Sequence, residues 1–189
     1  KRMRVDLLDG SLFVVARALR SDLSVDAEAS DALTEDDDSS FRAAEVSLRT
    51  HSSDVQALAT RFARALGFAE SIVGDVATAA WFHDVGKADP RFQRWLVGGS
   101  EVRAAMLDEP LAKSALPSGS ARLRRAAREQ AGYPDGYRHE LLSLAMVEAC
   151  GDGLAGSHDR DLVLHLVASH HGWCRPFAHR RCWRRACSL

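Results

Sequence analysis

From Val55 onward the apolar residues of this chain recur at helical spacing, and no other feature restricts its fold as strongly. Val55, Leu58, Ala59, Phe62 and Leu66 stand at i, i+3, i+4, i+7 and i+11. Such a stripe turns one face to a core and predicts a helix over about 53–66, stopped by Gly67. Ile72, Val76, Ala79 and Ala80 form the stripe of the next helix, ended by Gly86. Asp89-Pro90 supplies an N-cap and a proline at the first helical position, so a short helix runs through Trp95. Two more are expected at about 138–149 and 159–170, separated by "CGDGLAGSH", while the polar, basic stretch from Gly98 to Gly136 mixes a helix with loops. With few β-branched runs and no strand-like alternation, the compact domain, starting near Phe41, is expected to be all-α.

The flanks differ from that domain. In residues 1–25 the segment "DLLDGSLFVVARAL" places Asp9-Gly10 between apolar runs, the signal of a short β-ribbon. Residues 26–40 are acidic and serine-rich with nothing to bury, so they read as a solvated linker. At 189 residues and 46% hydrophobic the chain can bury one sizeable core, which assigns 41–178 to a single domain and 179–189 to an atypical basic tail. The 25 Lys+Arg against 26 Asp+Glu neither require nor exclude a nucleic-acid partner. No apolar stretch reaches the roughly 18 residues of a membrane helix, and "KRMRVDLLDG" is no signal peptide, so no membrane partner and a cytoplasmic location are expected. Cys150, Cys174, Cys182 and Cys187 form no CxxC pair and read as reduced thiols.

The histidines stand where the apolar stripes end. His51 lies four residues before Val55, His83 three or four after Ala80 and Ala79, His139 three before Leu142, and His170 seven after Val163. Each extends a core-facing stripe by a turn. One such histidine is ordinarily a hydrogen-bonded core residue. Four of them, two with a polar neighbour in Asp84 and His171, call for a common partner, because unsatisfied buried nitrogens cost about 1 to 3 kcal/mol each. Several imidazoles with one carboxylate favour a borderline transition ion over Mg²⁺ or Ca²⁺. Five histidines and an aspartate exceed what one ion can use, and the two oxygens of Asp84 can bridge two ions about 3.5 to 4 Å apart, the spacing that serves phosphodiester hydrolysis. The donor set therefore reads as a two-metal phosphohydrolase.

"FHDVGKADPRFQ" (82–93), with His51 one helix upstream and "RHELLS" (138–143) and "ASHHG" (168–172) downstream, resembles the HD superfamily of metal-dependent phosphohydrolases. The four motifs in this order resemble its CRISPR-associated branch, the HD nuclease domain of the type I helicase-nuclease, over about residues 45–178. The resemblance implies an all-α HD-domain helical bundle that hydrolyses phosphodiester bonds of single-stranded DNA in type I antiviral interference. It implies as partners an RNA-guided surveillance complex and a helicase domain, in the same or a separate chain. By the same resemblance His51, His83 and Asp84 hold one ion, and Asp84 bridges to a second held by His139, His170 and His171. The ions would be divalent transition metals, Mn, Fe, Co or Ni, with Mg disfavoured. Asp84 and Lys87 are the expected catalytic residues, Lys87 facing the phosphate, although a solvated lysine closing a helix C-terminus is an equal reading. Two other functions stay open: hydrolysis of nucleotides or cyclic dinucleotides, against which "RHELLS" and "FQ" speak, and a catalytically silent docking module.

The chain also departs from that family. A further aspartate, from a helix after the double histidine, has no counterpart, since no acidic residue follows Asp161. The tail "AHRRCWRRACSL" suggests truncation or a reading-frame change near Ala178, and a start at Lys1 suggests a piece of a longer protein. No GxxxxGK[ST] phosphate loop occurs, so the motor would lie elsewhere. Arg122, Arg124, Arg125 and Arg128 are the candidate DNA-backbone contacts, with a solvated helix face as the alternative. His165, about 140° round from His170, points away from the site. His158 and His179 read as solvent-facing, Glu140 as a surface residue of a first helical turn with an acceptor that orients His139 as the alternative, and Ser143 as either a site neighbour or a surface residue. Trp81, Phe82, Phe92 and Trp95 read as core aromatics.

Overall fold

The computed structural model describes residues 2–6, 12–16, 44–114, 121–134 and 137–172. The linker at 26–40, the domain start at Phe41, and the tail with His179 lie outside the described residues. The chain divides into two compact units, Lys1–Thr34 and Glu35–Leu189. In the first, β1 (Arg2–Asp6) and β2 (Leu12–Ala16) pair antiparallel, with Arg2 opposite Ala16 and Asp6 opposite Leu12. The expected ribbon is present, and its turn signal, Asp9-Gly10, lies outside the described residues.

The second unit contains seven α-helices among the described residues: α1 (Leu48–Ala65), α2 (Glu70–Phe82), α3 (Pro90–Leu96), α4 (Glu101–Ala105), α5 (Ala121–Ala131), α6 (His139–Ala149) and α7 (Arg160–Ser169). Short 3-10 turns at Val85–Ala88 and Gly151–Leu154 follow α2 and α6. The all-α expectation holds, with one addition. β3 (Val46–Ser47) pairs antiparallel with β4 (Leu111–Lys113), strands too short to leave an alternating pattern. Two apolar clusters make the core. Phe92, Trp95, Leu96, Val97, Leu111, Ala131 and Tyr133 pack around α3. Ala79, Val147, Leu154, Val163 and Val167 join α2, α6 and α7.

Three expectations are corrected. α1 starts about a turn earlier than its apolar stripe, at Leu48, because the Ser47 hydroxyl caps it by accepting from the Thr50 N–H at 3.1 Å. Its buried face is also different. Leu58, Phe62 and Leu66 are 44, 56 and 72% exposed, and the helix instead rests on its small residues, with Ser52 and Ala63 buried. Gln56 adds a hydrogen bond to the Ala77 carbonyl of α2 at 3.1 Å. Lastly, α2 ends at Phe82 with His83 as its C-cap, and Gly86 lies buried inside the turn that follows. Phe92 and Trp95 are core residues, and Trp81 and Phe82 are half-buried.

Candidate metal centre

The second unit brings four helix ends to one place. His51 sits in the first turn of α1, placed by the Ser47 cap. His83 closes α2, and Asp84 and Lys87 stand at the start and within the 3-10 turn. His139 is the first residue of α6, and His170 caps α7 with His171 beside it. Helix ends suit this purpose, because a side chain there can leave the core stripe and still have its backbone held by the helix.

Asp84 lies at the middle, buried and facing both ways. Its Oδ2 is 3.3 Å from His51 Nε2, 3.3 Å from His83 Nε2 and 3.0 Å from Lys87 Nζ. Its Oδ1 is 3.2 Å from His139 Nε2 and 3.5 Å from His170 Nε2. His139 Nε2 in turn lies 3.4 Å from His170 Nε2 and 3.1 Å from His171 Nε2. The donors fall into two sets that share one carboxylate: His51, His83 and Asp84, and Asp84, His139, His170 and His171. Each set could hold a metal ion.

The chemistry of the donors supports that use. His83 Nδ1–H donates to the Ala80 carbonyl and His170 Nδ1–H to the Val167 carbonyl, both at 2.7 Å. In the neutral ring each bond leaves Nε2, the nitrogen that faces Asp84, with the lone pair that a metal would take. Asp84 Oδ1 is also buried without a hydrogen-bond partner among the described residues. Burial by itself would raise the Asp84 carboxyl, but the Lys87 ammonium and the imidazoles of His139, His170 and His51 outweigh it and hold it well below the usual carboxylate range. Burial pushes His139 down, favouring the neutral imidazole that a metal needs.

Backbone groups hold this arrangement. Ser143 is fully buried, and its hydroxyl accepts the Gly86 N–H at 2.8 Å, which makes it a site neighbour and not a surface residue. Gly86 is needed for close approach: a Cβ there would lie 2.2 Å from the His139 carbonyl oxygen and 2.6 Å from the Ser143 nitrogen. Gln93 donates through Nε2 to the Lys87 carbonyl at 2.6 Å and the Leu111 carbonyl at 2.9 Å, and accepts the Leu111 N–H at 2.8 Å. It thereby ties the Lys87 turn to β4, which pairs with the strand leading into α1 and His51. Leu48 N–H donates to Pro110 O at 2.7 Å on the same side.

Other expected residues are placed differently. Lys87 is no solvated helix-end lysine, being 2% exposed against Asp84. Glu140 is no surface residue either: it is buried and paired with Arg138, with Oε2 3.8 Å from His139 Nδ1. Arg128 is corrected as a DNA contact. It is buried, donates to the carbonyls of Tyr133, Pro134 and Tyr137, and lies over the Trp95 and Tyr133 rings, because a guanidinium can pack flat on aromatics while its edge satisfies carbonyls. Arg122 and Arg125 are exposed and Arg124 is half-buried, away from the ligand cluster in sequence and on α5. His165 and His158 are exposed, as expected. Asp75 is buried, and its only mark in the sequence is a carboxylate on the Ile72–Ala79 stripe. A cavity of about 410 Å³ lined by Ala88, Gln93, Arg94, Ala104 and Leu107 contains none of the cluster's ligands.

Comparison with known proteins adds a family. The family model described as "Cas3, HD domain" matches residues 37–188. No curated protein and no solved structure matches the chain significantly. The matched span is wider than the motifs alone delimit and takes in most of the basic tail. Helical fold, shared His/Asp cluster and matched span agree: the chain belongs to the Cas3 HD-domain family, metal-dependent HD-type nucleases of CRISPR systems.

Proposed function

We propose that this chain cleaves single-stranded DNA by phosphodiester hydrolysis at a two-ion centre, together with an RNA-guided surveillance complex and a helicase motor. The observation that carries the reading is the single carboxylate shared between two histidine sets, Asp84 Oδ2 facing His51 and His83, and Oδ1 facing His139 and His170. His51, His83 and Asp84 would hold one ion, and Asp84, His139, His170 and His171 the other. When bound, divalent transition ions such as Mn, Fe, Co or Ni supply Lewis-acid stabilisation of phosphodiester charge and make water nucleophilic near neutral pH.

The chain's own residues do the rest. Lys87, buried against Asp84, keeps that carboxylate ionised and aimed, and its positive charge would act on a phosphate through the field of the cluster and not by contact. His171 is exposed and His51, His83 and His170 are half-buried, whereas Asp84 and His139 are buried, so the cluster faces solvent on one side. An extended backbone can reach such a face without entering a closed pocket. The exposed Arg122 and Arg125, with Arg124 beside them, would contact DNA phosphates without regard to sequence.

Incubation with Mn²⁺ and circular single-stranded DNA tests the proposal. The circle should be linearised and degraded, and Asp84→Asn should lower the rate by about 10³-fold or more, since both ions lose a ligand. Hydrolysis of a nucleotide or cyclic dinucleotide panel with the circle left intact would overturn it.

A further inference from the structure

Asp75 is a buried carboxylate, 1% exposed, that takes no part in the His/Asp cluster. Its Oδ1 accepts the His158 N–H at 2.8 Å and its Oδ2 the Asp159 N–H at 2.9 Å. The His158 ring stands 3.8 Å from Oδ2. These two donors belong to the entrance of α7, where Asp159 is the N-cap and its own carboxylate accepts the Leu162 N–H. Both oxygens of a buried charge are thus used to fasten the start of α7 to the middle of α2, as burial of a carboxylate requires.

The other ends of the same helices carry ligands. α2 leads to His83 and α7 to His170 and His171, and the His83 and His170 rings have centroids 5.1 Å apart. The helices pack on one another and, with Asp75 beside Asp159 at one end and His83 beside His170 at the other, run parallel. At 1.5 Å per residue the span from Asp75 to His83 is about 12 Å and that from Asp159 to His170 about 16 Å. Between the ends the buried contact among the described residues includes Ala79, Val163 and Val167, apolar side chains that form no directional bond to fix how far along α2 the helix α7 sits. A slip of one turn, about 5.4 Å, would carry His170 and His171 off Asp84.

We propose that Asp75 is a positioning residue: it sets the axial register of α7 on α2 so that His170 and His171 meet Asp84. The proposal rests on the reading of the cluster as a metal centre. Asp75→Asn keeps the shape but turns an amide NH₂ toward a backbone donor. In the folded variant, checked by circular dichroism, the His158 and Asp159 amides should exchange faster with solvent. Co²⁺ affinity by calorimetry should fall about 10- to 100-fold. In the metal-free protein the ring ¹⁵N resonances of His170 and His171 should move while those of His51 stay. Leu96→Ala, buried in the core cluster around α3, is the control for lost stability and should leave Co²⁺ affinity within about twofold of the parent chain. Asp75→Glu retains both acceptors on a stem one methylene longer, so it should remain capped and lose affinity by displacement; it decides the matter if Asp75→Asn does not fold. Unchanged affinity and unchanged His170 and His171 resonances in either folded variant overturn the proposal. A parent chain that binds no Co²⁺ overturns the metal reading instead, and the ring resonances still report whether Asp75 sets the register.

Discussion

At Gly86 the absence of a side chain lets the Asp84 turn and α6 touch. The sequence marks this glycine as a helix stop, but the helix has already ended at Phe82, and the constraint comes from the His139 carbonyl and the Ser143 nitrogen. Gly86→Ala must push backbone from backbone, which costs about 1 to 3 kcal/mol and separates Asp84 from His139. Thermal unfolding and Co²⁺ titration check this together: a lower Tm with weakened metal binding is expected, and parent-like values of both would contradict it. Lys87, Glu140 and Arg128 carry the same lesson about single residues. Their types were read from the sequence, but their burial depends on Asp84, Arg138, and the Trp95 and Tyr133 rings, which no local pattern announces.

Among elements, the short β3–β4 pair and Gln93 link the two parts of the site that lie on separate helices. Gln93 serves three backbone groups at once, the Lys87 and Leu111 carbonyls and the Leu111 N–H. Gln93→Leu is close in volume and leaves all three without that partner, so a loss of about 3 kcal/mol or more is expected, with faster exchange of the Leu111 amide. An unchanged Tm would show that water or another donor replaces the amide. α1 illustrates why helix existence was legible and helix orientation was not. Its periodicity identifies a helix correctly, yet two faces of α1 can bury surface, and the one chosen is the one whose small side chains let α2 approach, leaving Leu58, Phe62 and Leu66 outside.

Over the whole unit, the six proposed ligands come from α1, the α2 end with its turn, α6 and α7, so bound ions would join elements distant in the chain. Chelation should therefore lower Tm, by an amount that grows with metal concentration; at 100 times Kd the linkage is about 2.7 kcal/mol. A Tm indifferent to chelator would contradict ligation across these helices. The chelated protein should also be acid-sensitive. Burial keeps His139 below its ordinary value, so the folded chain binds fewer protons than the unfolded chain, and stability falls as pH drops below the usual imidazole range of about 6.5. Asp84, held well below the carboxylate range, adds a further loss at more acidic pH. Constant Tm from pH 8 to 5, an interval set by the roughly 6.5 imidazole midpoint, would contradict the His139 assignment. The helical class, the order of the main helices and the candidate donors of the cluster were legible in the sequence alone, because helical periodicity, caps and the chemistry of imidazole beside carboxylate act over a few residues. Tertiary structure decided which face of α1 is buried, why position 86 must be glycine, and what Asp75, Gln93 and Arg128 do. Their partners lie at His158 and Asp159, at Leu111, and at Trp95 and the carbonyls of Tyr133, Pro134 and Tyr137, contacts that exist only once the chain has folded back on itself.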